Sequence, residues 1–210
     1  METAFFWAST ALFLCAGSQT HLAAESPGAM TGQTFPMSPR LGGYGPVRLA
    51  MTRADAERVF NGIARDVVFL PTSADHPLTD MADNRLDQMV VMTPWVDVYV
   101  GRLDTNTLIQ VGMHGGRVVS VMLRTRLAAQ GQACRSAFLG LVKRNEVEFG
   151  PVPVADMPGN SRLISDGKVD FDGWTLRLGR IQAGATCNLT ADYISNSDSK
   201  IEANWRARLP

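Results

Sequence analysis

The sequence predicts an α+β fold in which helices pack on an antiparallel sheet of six or more strands. Three observations carry that expectation. Through Arg53–Arg65, Ala56, Val59, Phe60 and Ile63 recur at helical spacing, and Arg53, Asp55, Arg58 and Arg65 fall largely off their stripe. Trp95–Arg102 alternates instead, with Val96, Val98 and Val100 set against Trp95, Asp97 and Tyr99, which is the period of a half-buried strand. Leu108–Met113 and Val118–Arg124 are apolar runs joined by His114-Gly115-Gly116-Arg117, where paired glycines supply the positive φ of a tight hairpin.

Taken in order, residues 1–24 read as an export signal. Ala4–Ala16 is an apolar run of signal-peptide length, short for a membrane span. Small residues offer cleavage after Ser18 or after Ala24. The segment before the run, Met1-Glu2-Thr3, carries no Lys or Arg, so an uncleaved anchor and a misassigned start stand as alternatives. Cys15 follows Leu14, whereas a lipidated cysteine wants a small residue before it. Residues 25–46, rich in Pro, Gly, Ser and Thr, read as a flexible leader. A single α+β domain is expected over 47–210, with possible halves 47–126 and 132–210.

Thr52 is a good N-cap for the first helix, and Asp55 three residues on completes a capping-box-like pair. Residues 71–88, carrying four Asp and two Pro, read as a loop with a helical turn between Leu78 and Leu86. After the three strands above, a second helix is expected over Ala133–Glu148, with Cys134, Phe138, Leu141 and Val142 on one face and Gly150-Pro151 as its stop. A Pro/Gly loop then leads to strands near Trp174–Ile181, Thr186–Ile194 and Lys200–Leu209. Helix followed by three strands thus occurs twice. A short echo of Trp95…Gly101-Arg102-Leu103 in Trp174…Gly179-Arg180-Ile181 makes a duplicated helix-plus-three-strand unit an option.

Composition bounds function more than it names it. The 210 residues carry 20 Lys or Arg and 20 Asp or Glu, so no broad nucleic-acid footprint is expected. Seventeen of the 20 cations are Arg, a bias typical of a GC-rich bacterial genome. Loss of residues 1–24 would remove Glu2 and leave 20 cations against 19 anions; it would also leave only Cys134 and Cys187. An even pair in an exported chain predicts one disulfide, Cys134–Cys187, in an oxidising compartment, and the alternative is two buried thiols.

The stretch Val47-Arg48-Leu49-Ala50-Met51-Thr52 with Ala54-Asp55-Ala56 resembles the opening of the SmpA/OmlA-like outer-membrane-assembly lipoproteins and of β-lactamase-inhibitor-protein-like domains. Thr107–Val111 and Gly116–Val121 are similar to their final hairpin, so the resemblance spans residues 47–123. It implies a short strand, a turn and a helix followed by an antiparallel meander. It also implies a protein-binding habit without a catalytic centre.

Catalytic and metal motifs are weak. His76 with Asp75, Asp80, Asp83 and Asp87 matches no established ligand spacing, and Asp and Pro favour loops for backbone reasons. His114 reads as a turn residue. No Gly-x-Ser-x-Gly or Ser-x-x-Lys occurs, and Gly42-Gly43-Tyr44-Gly45 lacks the Lys of a phosphate loop. No catalytic residue, metal or cofactor is therefore expected. Trp95, Tyr99, Trp174 and Trp205 fall in or beside expected strands, as core or, where they face outward, as an interaction surface. The functional expectation is an exported bacterial envelope protein, periplasmic or secreted. It would bind another, unidentified envelope protein without catalysis and keep no membrane span after signal cleavage. The alternative is a periplasmic small-molecule or lipid-binding protein.

Overall fold

A computed structural model describes residues 41–71, 96–158 and 163–207, all within one compact unit, Gly32–Pro210. The first elements are a two-strand ladder, β1 (Gly43–Tyr44) with β2 (Val47–Arg48), and helix α1 (Arg53–Ile63). Then come β3 (Arg65–Leu70), β4 (Asp97–Arg102), β5 (Thr107–His114) and β6 (Arg117–Ala128). Helix α2 (Gly131–Phe149) leads into β7 (Val154–Pro158), β8 (Leu163–Phe171), β9 (Trp174–Ala183) and β10 (Thr186–Ser195), and α3 (Asn196–Arg206) closes the described chain. The eight long strands form one antiparallel sheet in the order β3-β4-β5-β6-β10-β9-β8-β7. Each of the first two helices thus precedes a four-strand meander, and the last strands of the two meanders pair at the centre.

The strand period sorts side chains between two faces. Ile109, Val111, Val121, Leu123, Leu176, Leu178, Leu189 and Ala191 point to one face, where Ala56 and Phe60 of α1 and Phe138, Leu141 and Val142 of α2 complete the main core. Val98 and Val100 point the other way and, with Val96 and Val119, meet Ile201 of α3. Two helices therefore cover one face, and α3 packs on the opposite one.

The start of α1 is tied down by several backbone bonds. The Thr52 hydroxyl accepts from the Asp55 amide at 3.2 Å, the N-cap bond expected from sequence, and donates to the Asp55 carboxylate at 2.8 Å, so the pair closes through the hydroxyl. The Ala50 amide donates to the Val118 carbonyl, and the Arg53 amide to that of Gly116, each at 2.8 Å, so the β5–β6 hairpin holds the helix entry. Ala50 makes the turn at φ 64°, a left-handed conformation unusual for a residue with a Cβ. Gly115 and Gly116, at φ 56° and 75°, make the two-residue hairpin turn read from sequence.

Several expectations need correction. Order begins inside the expected leader, since Gly43–Tyr44 already pairs with Val47–Arg48. The expected strand Lys200–Leu209 is, as far as Arg206, instead helix α3. Lys200, Glu202, Ala203 and Arg206 favour helix, and Asp198 suits its first turn. Strands β3, β7 and β8 went unread, so each of the first two helices heads four described strands and not three. The loop 71–88, with His76, lies outside the described residues beyond Pro71, as do the export-signal segment and Trp95.

Candidate functional site

The disulfide is the firmest sequence-derived feature. Cys134 on α2 and Cys187 on β10 are bonded, their Cα atoms 5.6 Å apart and both side chains fully buried. The bond fastens the first turns of α2 to the central strand beneath it.

Of the four aromatic residues expected to offer an interaction surface, the structure describes the side chains of two, Trp174 and Tyr99. Trp174 is 3% exposed, stacked on Phe171 at 4.2 Å and edge-on to Phe149 at 5.1 Å, which makes it a core residue. Tyr99 is half-buried under α1. Its hydroxyl donates to Glu57, and its ring lies 4.8 Å from that of Phe69. Burial, with the Glu57 carboxylate beside it, pushes the Tyr99 phenol up to about 12. Trp205 sits on α3, its side chain outside the described ones, and Trp95 is outside as well.

The structure offers a different site. A cleft of about 820 Å³ opens on the helix-bearing face above the pairing of β6 with β10. Its floor is Leu123, Thr125 and Leu127 of β6 with Leu189, Ala191 and Tyr193 of β10, side chains that alternation places on one face. Helix α2 forms one wall, through Ala137, Gly140, Leu141, Arg144, Asn145 and Glu148. The β1–β2 turn, with Tyr44, and the β4–β5 turn, Asp104–Asn106, form the other wall.

Polar groups inside it are fixed by one another. The Tyr193 hydroxyl donates to Asn145 Oδ1 at 2.7 Å, and Asn145 Nδ2 donates to the Leu141 carbonyl at 2.9 Å. Burial, with Glu148 nearby, pushes the Tyr193 phenol well above its ordinary range, so it stays protonated and donates. Arg48 Nη2 meets Glu148 Oε1 at 2.7 Å, tying β2 to the last turn of α2. The Thr107 and Thr125 hydroxyls lie 3.2 Å apart. Arg144 is exposed on the wall and makes no ion pair among the described residues. Hydroxyls, an amide and one cation over an apolar floor suit recognition; a nucleophile with its base is not assembled among these residues. Nor do three or more His, Cys, Asp or Glu converge on a metal position among the described residues.

Sequence reasoning missed this site, although Asn145 carried a signal. It continues the stripe of Phe138, Leu141 and Val142 and is 4% exposed, a polar residue on a helix's buried face. A second buried polar group lies outside the cleft, on the far side of α2. Arg180 is fully buried, donates to Ser165 Oγ through Nε at 2.9 Å and Nη2 at 2.6 Å, reaches Asp156 Oδ1 at 3.2 Å, and leaves Nη1 without an acceptor. Asp156 also accepts from Ser165 and pairs with Arg135, and the Ser165 hydrogen bond is the main reason its carboxyl sits below the usual range.

Compared with protein-family models, with curated proteins and with solved structures, the chain matches none.

Proposed function

We propose that this chain is an exported bacterial envelope protein that binds another protein without catalysing a reaction, and that the partner docks in the cleft above the β6–β10 pairing. The observation that carries the reading is the cleft itself: open, about 820 Å³, with a mixed polar and apolar lining whose hydrogen bonds hold it in shape. An exposed aromatic side chain, Tyr44, stands on one wall, and α2 carries two further exposed apolar side chains, Leu139 and Val147, off the cleft. Such residues are ready to be covered by a partner. The resemblance of residues 47–123 to envelope-assembly and inhibitor domains supports the same reading. The disulfide fits an oxidising compartment, and no described helix is long and apolar enough to cross a membrane.

In-cell photocrosslinking with mass spectrometry tests the proposal. A crosslinking residue at Gly140 should trap one envelope protein reproducibly, whereas the same residue at Arg177, exposed on a strand outside the cleft, should not. Capture from Arg177 alone would move the docking surface off the cleft, and capture from neither would end the protein-binding reading.

A second reading has its own support. A volume of about 820 Å³ also suits a small molecule or a lipid chain. Native mass spectrometry of detergent-free protein would show a co-purified mass if that reading holds. As to origin, we propose that α1 with β3–β6 and α2 with β7–β10 arose by duplication of a helix-and-meander unit. Superposing the halves should bring β5 onto β9 and β6 onto β10, and failure of that match counts against it.

A further inference from the structure

We infer that a second recess, where the β5–β6 and β8–β9 turns meet α3, binds a small amphipathic anion: an apolar body ending in a carboxylate or sulfonate. The recess holds about 510 Å³ and shares no lining residue with the cleft above β6 and β10. That volume lies within the range of small-ligand pockets.

Its walls and its rim differ in chemistry. Leu49 and Trp174 are buried in the wall, and Ile201 of α3, half-buried, lines the recess as well. Trp174 is held between its stacking on Phe171 and its contact with Phe149, so this wall is formed before any ligand arrives. On the rim stand His114 and Arg117 from the hairpin and Lys200 from α3, against one carboxylate, Asp172. Arg117 donates through Nη1 to the Ala50 carbonyl at 3.0 Å, and neither it nor Lys200 is ion-paired among the described residues. By contrast Arg48, Arg53, Arg124, Arg135 and Arg180 each have a carboxylate partner.

Two cations outside any described ion pair, against a single rim carboxylate and beside an apolar hollow, complement a molecule that is apolar along its body and negative at one end. Burial of the body supplies most of the affinity. The exposed rim charges add a smaller, salt-sensitive part and choose the sign of the head group. A neutral ligand of the same shape would keep the first contribution and lose the second.

The probe is 8-anilinonaphthalene-1-sulfonate, titrated by fluorescence into the full-length oxidised protein. Saturable binding at one dominant site is expected, weakened about tenfold by the pair Arg117→Glu and Lys200→Glu and by raised salt. N-phenyl-1-naphthylamine, which has the same rings without the sulfonate, should bind about tenfold more weakly than the sulfonate to the unaltered protein and equally well to the charge-reversed one. Ile201→Trp, which fills the recess and leaves the rim cations in place, should abolish binding of both. Arg144→Glu, on the other cleft, should change nothing, and circular dichroism confirms that each variant is folded. Absence of saturable binding, equal affinity for the neutral probe, or a loss on Arg144→Glu as large as on the rim pair would each overturn the proposal.

Discussion

Replacing both Cys134 and Cys187 with alanine should cost the protein about 4 kcal/mol, and the figure follows from chain length. The cysteines are 53 residues apart, and restoring the conformational freedom of a loop of that size to the unfolded chain removes about 4 kcal/mol in the chain-entropy treatment. Both side chains are fully buried between α2 and β10, so the lost sulfur contacts add to this and do not offset it. Urea unfolding followed by circular dichroism, on the oxidised protein and the double variant, gives both the free-energy difference and the slope. The slope should rise in the variant, because an uncrosslinked unfolded chain exposes more surface. A loss under about 1 kcal/mol with an unchanged slope would refute the reasoning. It would mean that the reduced unfolded chain already holds α2 near β10.

Four further outcomes are expected. Ala50→Gly should stabilise by roughly 0.5–1 kcal/mol in the same urea assay, because glycine accepts φ 64° without a Cβ penalty. Gly101→Ala should destabilise by roughly 1–3 kcal/mol, since the new Cβ would stand 2.7 Å from Ala64 Cβ and 3.2 Å from the Phe60 ring, forcing α1 off the sheet; an unchanged midpoint would contradict this packing. Arg180→Met should stay within about 1 kcal/mol of the parent or exceed it, because it removes a buried donor that has no acceptor, whereas Ser165→Ala takes the acceptor from Nε, leaves the guanidinium only Asp156 and should cost about 1–3 kcal/mol. Because the Tyr99 phenol is raised to about 12, its contribution to stability is complete below the ordinary tyrosine value near 10 and is lost as pH climbs from there toward 12. Tyr99→Phe should flatten that alkaline decline, and difference absorbance near 295 nm should lose one late titration in the variant while keeping the still later one of Tyr193.

How far the residues announce this architecture depends on which physical signal each element carries. Helix α1 was legible because its cap and stripe agree, and the β5–β6 hairpin because Gly115-Gly116 leaves little else to form. The disulfide followed from an even cysteine pair on faces that both point inward. Strand β8 carries Asp166, Lys168 and Asp170 on alternate positions and Gly167 between them, residues that read as loop; pairing with β7 and β9 overrides that local preference. Strand β7 is bracketed by Pro153 and Pro158, which an edge strand tolerates and a central one would not. The cleft was illegible for a different reason. Its floor joins Leu123 and Thr125 to Leu189 and Ala191, and only the pairing of distant strands brings them together.

That pairing also sets the order in which the molecule can assemble. Every other ladder in the large sheet joins strands consecutive among the described ones, with partners at most 37 positions apart. Only β6 and β10 join residues roughly 60–75 positions apart, a closure that must be paid in chain entropy before its contacts reward it. Cys134 follows β6 within a few residues and Cys187 lies on β10, so a chain that folds with the bond already made begins with that loop nearly closed. Oxidation thus acts on folding rate as well as on stability: the crosslinked chain should refold faster than the reduced one, and the gain should appear in joining the two halves.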